Sequence, residues 1–540
     1  MSDGSSAFLA VAAALAEDGF SPRVTVGGAD FRGTVNVGEL KVALRIEFSD
    51  LEFAEPGRVF VDDPSTIPRP VLPHLDELNE LCVVDRRAFV ADRYQAAAQA
   101  RGIVVKAQSV IERGLTRHAT DEIAREFPQH WGGPSIGVEF GAYEGPLGLG
   151  SDAGGIKKLV PHRGKVPVDG YALTTPLPLS FTDTQKRPDT FGEFLAWTKA
   201  WDPSLSARVL DALAGLSSNL PYCMIVAANG VVGIQLLLSS RGTTLAAALG
   251  GRPQGRRRAL NTPIAKKLAV QRWHGHRVDL AYVLSRNGGE MAPLAGKRVV
   301  LVGCGSIGGL LARSLAQLGA GSSGGSLTLI DDEILAATNI GRHILGSGDI
   351  GRGKVDACRA MIQRDLPGTD VLARAFQVQS QRVLVARSDL LIDATGEQGV
   401  GEMLNAWMLE ASASSTPFPG LLHTWIEGAG AAVRSFVTSD PEFGCFRCLR
   451  PDHLEKDRYP VLKEGTIVEL GGGCGELAFT PYGPAAPLMA AALAAQHAVD
   501  WAAGHPRKLL RTGRVDWETT NEVKPLNPPA SNKCPACDRA

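Results

Sequence analysis

The sequence lacks a charge imbalance, a membrane-length apolar run and an even cysteine count, and each absence excludes something. Lys and Arg number 56 against 57 Asp and Glu, a net charge of −1. That balance removes the electrostatic case for a nucleic-acid or membrane-surface partner. No stretch approaches the ~20 consecutive apolar residues that a bilayer-crossing helix needs. The apolar opening, "AFLAVAAALAEDGF", has no basic region before it and no small-residue cleavage site after it. It is therefore expected to be a first helix rather than a secretory leader. The nine cysteines are odd in number and include two C-x-x-C pairs. Without a secretory context, they favour a reducing, cytoplasmic setting and metal or thiol chemistry over a disulfide framework. No internal repeat is visible.

What remains is an ordinary globular composition, 44% hydrophobic and 21% charged, in a chain of 540 residues. That length is too great for one core, so a multidomain protein is expected. Residues 1–150 read as a helix at about 7–18 followed by β-like runs: "RVTVG", "FRGTVNV", "KVALRIEF" and "RVFVDD". The proline-rich "PSTIPRPVLP" ends the meander, and helical patterns are expected over "RRAFVADRYQAAAQARG" and "KAQSVIERGLTRHATDEIAREF". Strands first and helices after suit a small α+β unit. Residues 151–285 say less. "PYCMIVAANGVVGIQLLL" reads as a buried hairpin turning at "ANG", and "GGRPQGRRRALN" as a basic surface loop. From Lys297 onward, strand, glycine loop and helix alternate, the pattern of a parallel α/β sheet covered on both faces.

The glycine loop is "GCGSIG", with Gly303, Gly305 and Gly308 between a strand and a helix. Glycines permit a tight turn and close approach to phosphate, and the helix N-terminus supplies N–H groups and positive dipole. Asp331 ends the next strand, where a carboxylate can accept from a ribose hydroxyl. Taken alone, this pattern favours NAD or FAD. The following polar segment carries Asn339, Arg342 and Lys354. Hydride transfer has no use for cations there, whereas nucleotidyl transfer needs them to stabilise departing pyrophosphate. The plainer alternative makes both cations ordinary surface residues.

Cys445 and Cys448 form one C-x-x-C pair and Cys534 and Cys537 another. Four thiolates suit tetrahedral Zn²⁺, and a shared ion would pin the C-terminal tail to the sheet domain. Cys474 stands apart in "ELGGGCGELAF", where glycines offer nothing to pack. Its setting suits an exposed nucleophilic thiolate. Cys223, Cys304 and Cys358 read as packing residues.

Taken together, "GCGSIGG", "LIDDEILAATNIGRH", "GRGK", "DATG", "CFRC" and "CPAC" resemble the ThiF-type adenylyltransferases, which include the activating enzymes of ubiquitin and of sulfur carriers. The resemblance covers about residues 290–540. It implies a Rossmann-like domain over residues 286–540 that binds ATP and Mg²⁺ and adenylates the C-terminal carboxylate of a small protein. Asp331 would hold the ribose, Asn339 and Arg342 would reach phosphates, and Lys354 would contact the α-phosphate region. The family's D-x-x-D is altered to Asp393, Ala394, Thr395 and Gly396, with Glu397 following. Asp393 is expected to be the main carboxylate for Mg²⁺ and adenylate chemistry, with Glu397 as substitute. The family's acceptor cysteine often lies where Cys474 does.

The first 150 residues resemble ubiquitin-conjugating enzymes: helix, four-strand meander, proline segment, His74, then Cys82 after an aliphatic residue. The family's His-Pro-Asn is not intact, since Leu75 and Asp76 follow His74. A conjugating-like domain ahead of an activating-like one resembles the fusion proteins of type II CBASS antiphage operons and related bacterial ubiquitin-like operons. That resemblance makes Cys82 a second acceptor and residues 151–285 a linker with a reduced, inactive adenylation-like part. It implies as partner the C-terminal tail of a CD-NTase (a cGAS/DncV-like nucleotidyltransferase) or of a ubiquitin-like protein. A target lysine and a homodimer through the adenylation domain are also implied. The rival readings are an NAD(P)-dependent oxidoreductase and a non-catalytic nucleotide-binding module.

Overall fold

A computed structural model describes residues 6–25, 28–50, 52–85, 89–151, 157–164, 167–216, 221–237, 252–288, 292–438, 443–451, 457–466, 481–504 and 508–537. The chain divides into two compact units, Met1–Asp279 and Leu280–Ala540. No described helix is long and apolar enough to cross a membrane.

The first unit begins with the helix Ser6–Glu17 and an antiparallel meander. Its strands are β1 (Ser21–Thr25), β2 (Gly28–Val37), β3 (Leu40–Phe48), β4 (Arg58–Val61) and β5 (Glu80–Leu81). Alternation in β3 turns Val42, Leu44, Ile46 and Phe48 inward, as a half-buried strand requires. They pack with Phe8, Val11 and Leu15 of the first helix and Ile103, Ala107 and Ile111 of the helix Ala96–Gly114. The expected helix over residues 86–102 starts late, at Ala96. Asp92 accounts for the delay, because its carboxylate takes the Tyr94 N–H at 2.9 Å and holds a turn. The expected helix over 106–127 breaks after Gly114, then continues as the short pieces Ala119–Arg125 and Phe127–Trp131.

Seven described strands between Ser135 and Arg277 close into a barrel, where a linker was expected from residue 151. Its strands are β6 (Ser135–Val138), β7 (Gly145–Ser151), β8 (Lys157–Pro161), β9 (Gly170–Thr174), β10 (Tyr222–Ala227), β11 (Gly230–Leu236) and β12 (Val270–Arg277). They run in the order β10-β11-β12-β6-β8-β7-β9. The boundary expected at 150 therefore falls inside β7. Ile136, Val138, Leu147, Leu159 and Met224 fill one core, while Trp131, Phe181, Phe194 and Trp197 cluster in another. The hairpin at Tyr222–Leu236 forms as expected. The basic segment does not stay a loop: Pro253–Leu260 is a helix with Pro253 in its first turn, where a missing N–H costs nothing.

The second unit is a doubly wound sheet. Its strands are β13 (Arg298–Val302), β14 (Ser326–Ile330), β15 (Val371–Arg374), β16 (Leu390–Asp393), β17 (Gly420–Glu427), β18 (Ala432–Thr438) and β19 (Leu510–Arg514). The order is β15-β14-β13-β16-β17-β18-β19, parallel through β17 and antiparallel beyond. The helices Ser306–Gln317, Lys354–Asp365 and Ala485–Ala502 pack in one core; the helix Gln398–Ala413 packs in another with Val300, Val302 and Leu391. Alternate residues of β13 supply the two cores, which is why "VVLV" is apolar without a break. The chain leaves β13 on one side toward β14 and enters β16 on the other. That reversal opens a crevice at the carboxyl ends of the strands.

Candidate functional site

The crevice is a cleft of ≈ 620 Å³ whose lining includes Gly303, Gly305, Asp331, Asn339, Arg342 and Lys354. Gly303 has φ +86, and a Cβ there would lie 2.9 Å from the Thr395 nitrogen. A Cβ on Gly308 would come within 1.8 Å of the Gly303 oxygen. The loop thus closes tightly only because both positions lack side chains. Gly305 caps the helix Ser306–Gln317, and a side chain there would project into open space.

Asp331 braces this loop. Its Oδ2 accepts the Cys304 N–H at 2.6 Å and its Oδ1 accepts the Glu333 N–H at 2.8 Å. Lys354 opens its helix with only 5% of its surface exposed and is paired with Glu333. The Arg342 guanidinium lies 4.2 Å from the Tyr482 ring centroid. Sequence reasoning missed Tyr482 and His343, which also line the cleft. The His343 Nδ1 accepts the Leu345 N–H at 3.1 Å, so its Nε2–H donates to the Cys304 carbonyl at 2.7 Å. Burial lowers the His343 pKa and keeps the ring neutral. The only sequence hint of His343 was its place beside Arg342.

Asp393 is not on the cleft wall. It is 4% exposed, with Oδ1 accepting from Thr395 Oγ1 at 2.7 Å and Oδ2 paired with His423 Nδ1 at 2.9 Å. The His423 ring stacks on Phe446, their centroids 4.1 Å apart. Glu397, exposed at the start of the next helix, does line the cleft. Glu397 thus faces the cleft from this side, while Asp393 pairs across β16–β17 and lines a smaller neighbouring pocket that Glu397 also borders.

Cys445, Cys448, Cys534 and Cys537 converge, with their sulfurs all within 4.8 Å of one another. Sγ separations are 3.9 Å for Cys445–Cys448 and Cys445–Cys534, and 3.4 Å for Cys448–Cys537. A tetrahedral ion with Zn–S bonds of about 2.3 Å needs edges of roughly 3.8 Å. The cage fits a metal ion of this kind. The Asn405 Nδ2–H at 3.6 Å from Cys445 Sγ and the Ser531 N–H at 3.4 Å from Cys448 Sγ are outer contacts suited to ligating thiolates.

The remaining thiols separate by burial. Cys223, Cys304 and Cys358 are fully buried, and burial pushes Cys223 up to about 12, which suits packing rather than nucleophilic work. Cys82 is exposed. Its N–H donates to the His74 carbonyl at 2.8 Å, and His74, at φ +63, has Nδ1 3.6 Å from a Glu126 carboxylate oxygen. Cys474 lies outside the described residues.

Residues 282–536 match the model of the ThiF family. Over 504 residues, 88% of both chains, the sequence is 28% identical to the "ATP-dependent ubiquitin transferase-like protein Cap2" of Pseudomonas aeruginosa (strain BWHPSA011 / Pa011). It is 29% identical over 168 residues to the "Sulfur carrier protein ThiS adenylyltransferase" of Escherichia coli (strain K12), covering 31% of this chain and 62% of that one. Among solved structures, E. coli MccB with ATP aligns with 46% of this chain and 68% of its own at a TM-score of 0.35 and 18% identity.

Proposed function

We infer that this chain, whose residues 282–536 match the ThiF family, makes an acyl-adenylate and passes the acyl group along two of its own cysteines. The observation that carries the reading is the convergence of the glycine loop, Asp331, Arg342 and Lys354 on one cleft. A carboxylate oxygen of the partner's C-terminus attacks the α-phosphorus of ATP. The bond to the bridging oxygen breaks, and pyrophosphate leaves. Asp331 accepts from the ribose hydroxyls, Asn339 and Arg342 face the outer phosphates, and Lys354 reaches the α-phosphate. Bound Mg²⁺ would neutralise phosphate charge, with Glu397 as a carboxylate of the cleft that could hold it. The Cys474 thiolate then attacks the acyl carbon and AMP leaves. Transthiolation moves the acyl group to the Cys82 thiolate, and a lysine amine displaces that sulfur and loses its proton to solvent.

In this reading, residues up to about 130 are the conjugating-like part, the four thiols hold a structural Zn²⁺, and the protein acts as a soluble cytoplasmic homodimer in antiphage defence. Its partner is a CD-NTase or a ubiquitin-like protein. The likeness to the Pseudomonas aeruginosa Cap2 protein over 88% of the chain supports the assignment. The cations in the cleft speak against an NAD(P)-dependent oxidoreductase.

The test is ATP–pyrophosphate exchange by the full chain. Exchange should appear when a partner of either kind with an intact C-terminal carboxylate is added, and Lys354→Ala should reduce it by about a hundredfold. Exchange that no such carboxylate stimulates overturns the reading. A second expectation separates the two carboxylates. Glu397→Gln should raise the Mg²⁺ concentration needed for half-maximal exchange. Asp393→Asn should leave that requirement unchanged and lower Tm instead, because it weakens a buried pair worth about 1–3 kcal/mol. Swapped outcomes would return the metal role to Asp393.

A further inference from the structure

We propose that Tyr482 is a positioning residue, holding the Arg342 guanidinium over the phosphate-binding floor of the cleft. The proposal rests on the reading that nucleotide phosphates occupy this cleft. Three contacts fix the ring. Its face lies 4.2 Å from the Arg342 guanidinium carbon. Its hydroxyl hydrogen-bonds the Ser306 Oγ at 3.0 Å, at the first residue of the glycine-loop helix. Its Cβ sits over Gly430, where an added Cβ would come within 2.7 Å. Gly430, at φ +91, thus makes the seat into which the tyrosine fits.

The geometry has a chemical consequence. Guanidinium N–H groups point outward in the plane of the group, whereas an aromatic ring engages its face. The contact with the Tyr482 ring face therefore limits where the Arg342 guanidinium can sit beside the glycine-loop helix. The hydroxyl bond to Ser306 ties the stacked arginine to the helix N-terminus that also faces the phosphates. Two phosphate-binding elements distant in sequence, Ser306 and Arg342, are set relative to each other by a third residue. An arginine side chain without such a contact would pay rotamer entropy on binding; one already held over a ring pays less.

The experiment is isothermal titration of the full chain with MgATP and with AMP. It compares the wild type, Tyr482→Phe, Tyr482→Ala, Arg342→Ala and the double alanine variant, with Tm recorded for each. Tyr482→Ala should weaken MgATP about tenfold, between the values for an exposed and a desolvated cation–π contact, and AMP less than about twofold. Tyr482→Phe keeps the ring and should bind MgATP within about threefold of the wild type, since one hydroxyl contact is lost. In the Arg342→Ala background, Tyr482→Ala should add almost no further loss. Equal weakening of MgATP and AMP, or additive losses in the double variant, overturns the proposal and makes Tyr482 a packing residue only. So does MgATP binding unchanged in Tyr482→Ala. A wild type that binds no MgATP defeats the nucleotide reading itself, and this inference with it.

Discussion

Replacing Cys474 with alanine should leave partner-dependent ATP–pyrophosphate exchange unchanged while removing every thioester from the chain, including the one on Cys82. Exchange reports only formation and reversal of the acyl-adenylate, which precedes any attack by sulfur. The nine cysteines divide into four that meet in one cage, three that are fully buried, the exposed Cys82, and Cys474. The last two, Cys82 and Cys474, are the thiols that the family resemblance marks as acyl acceptors. Cys474 lies within residues 282–536, which match the ThiF family, and is proposed to act first. The converse variant, Cys82→Ala, should accumulate a hydroxylamine-sensitive adduct on Cys474. Non-reducing gels and peptide mapping with a tagged partner check both. Charging of Cys82 in Cys474→Ala would show that the glycine-rich segment plays no part in the relay.

The second large effect is on stability. Cys448→Ser should lower bound zinc to well under one ion per chain and cost the C-terminal unit much of its stability. Structural zinc is worth about 10–16 kcal/mol in small peptides, against total stabilities of ~5–15 kcal/mol for whole domains. The loss here should be smaller than the peptide value, because β19 is also held by its pairing to β18. It should still be several kcal/mol, since the cage ties Cys534 and Cys537 to the Cys445–Cys448 turn beyond the Gly444–Pro528 hydrogen bond nearby. Metal analysis and thermal unfolding of the full chain, before and after chelation, decide the matter. Metal-free protein that melts at the unaltered temperature would make the cage incidental.

How much was legible depended on how far apart the partners lie in sequence. Strands β13, β14 and β16 announce themselves because both faces are buried, which leaves unbroken apolar runs beside a glycine loop. The two C-x-x-C pairs were readable because metal ligation imposes a spacing. The barrel was not readable. Its strands are short or glycine-bearing, β12 ("VQRWHGHR") is half-buried along most of its length, and β12 pairs in parallel with β6, far earlier in the chain. Propensity carries no information about such a pairing. The helix Pro253–Leu260 was hidden because Pro and Gly in "GGRPQGRRR" were read as loop signals, although proline is at home in a first turn.

The candidate site shows the same division. The glycines, Asp331, Arg342 and Lys354 sit in motifs that place them together. Asp393 pairs with His423 on the neighbouring strand, a contact that no local pattern announces. Tyr482 likewise reaches Ser306 from a distant part of the chain.

The most direct test of the whole account is the mass of a partner's C-terminal peptide after incubation with MgATP and the Cys474→Ala protein, which cannot pass the acyl group on. The account predicts one AMP joined to the terminal carboxylate, released by hydroxylamine and absent from a partner whose terminus is amidated. Unmodified carboxylate after ATP turnover, or reduction of NAD(P) in its place, would contradict it.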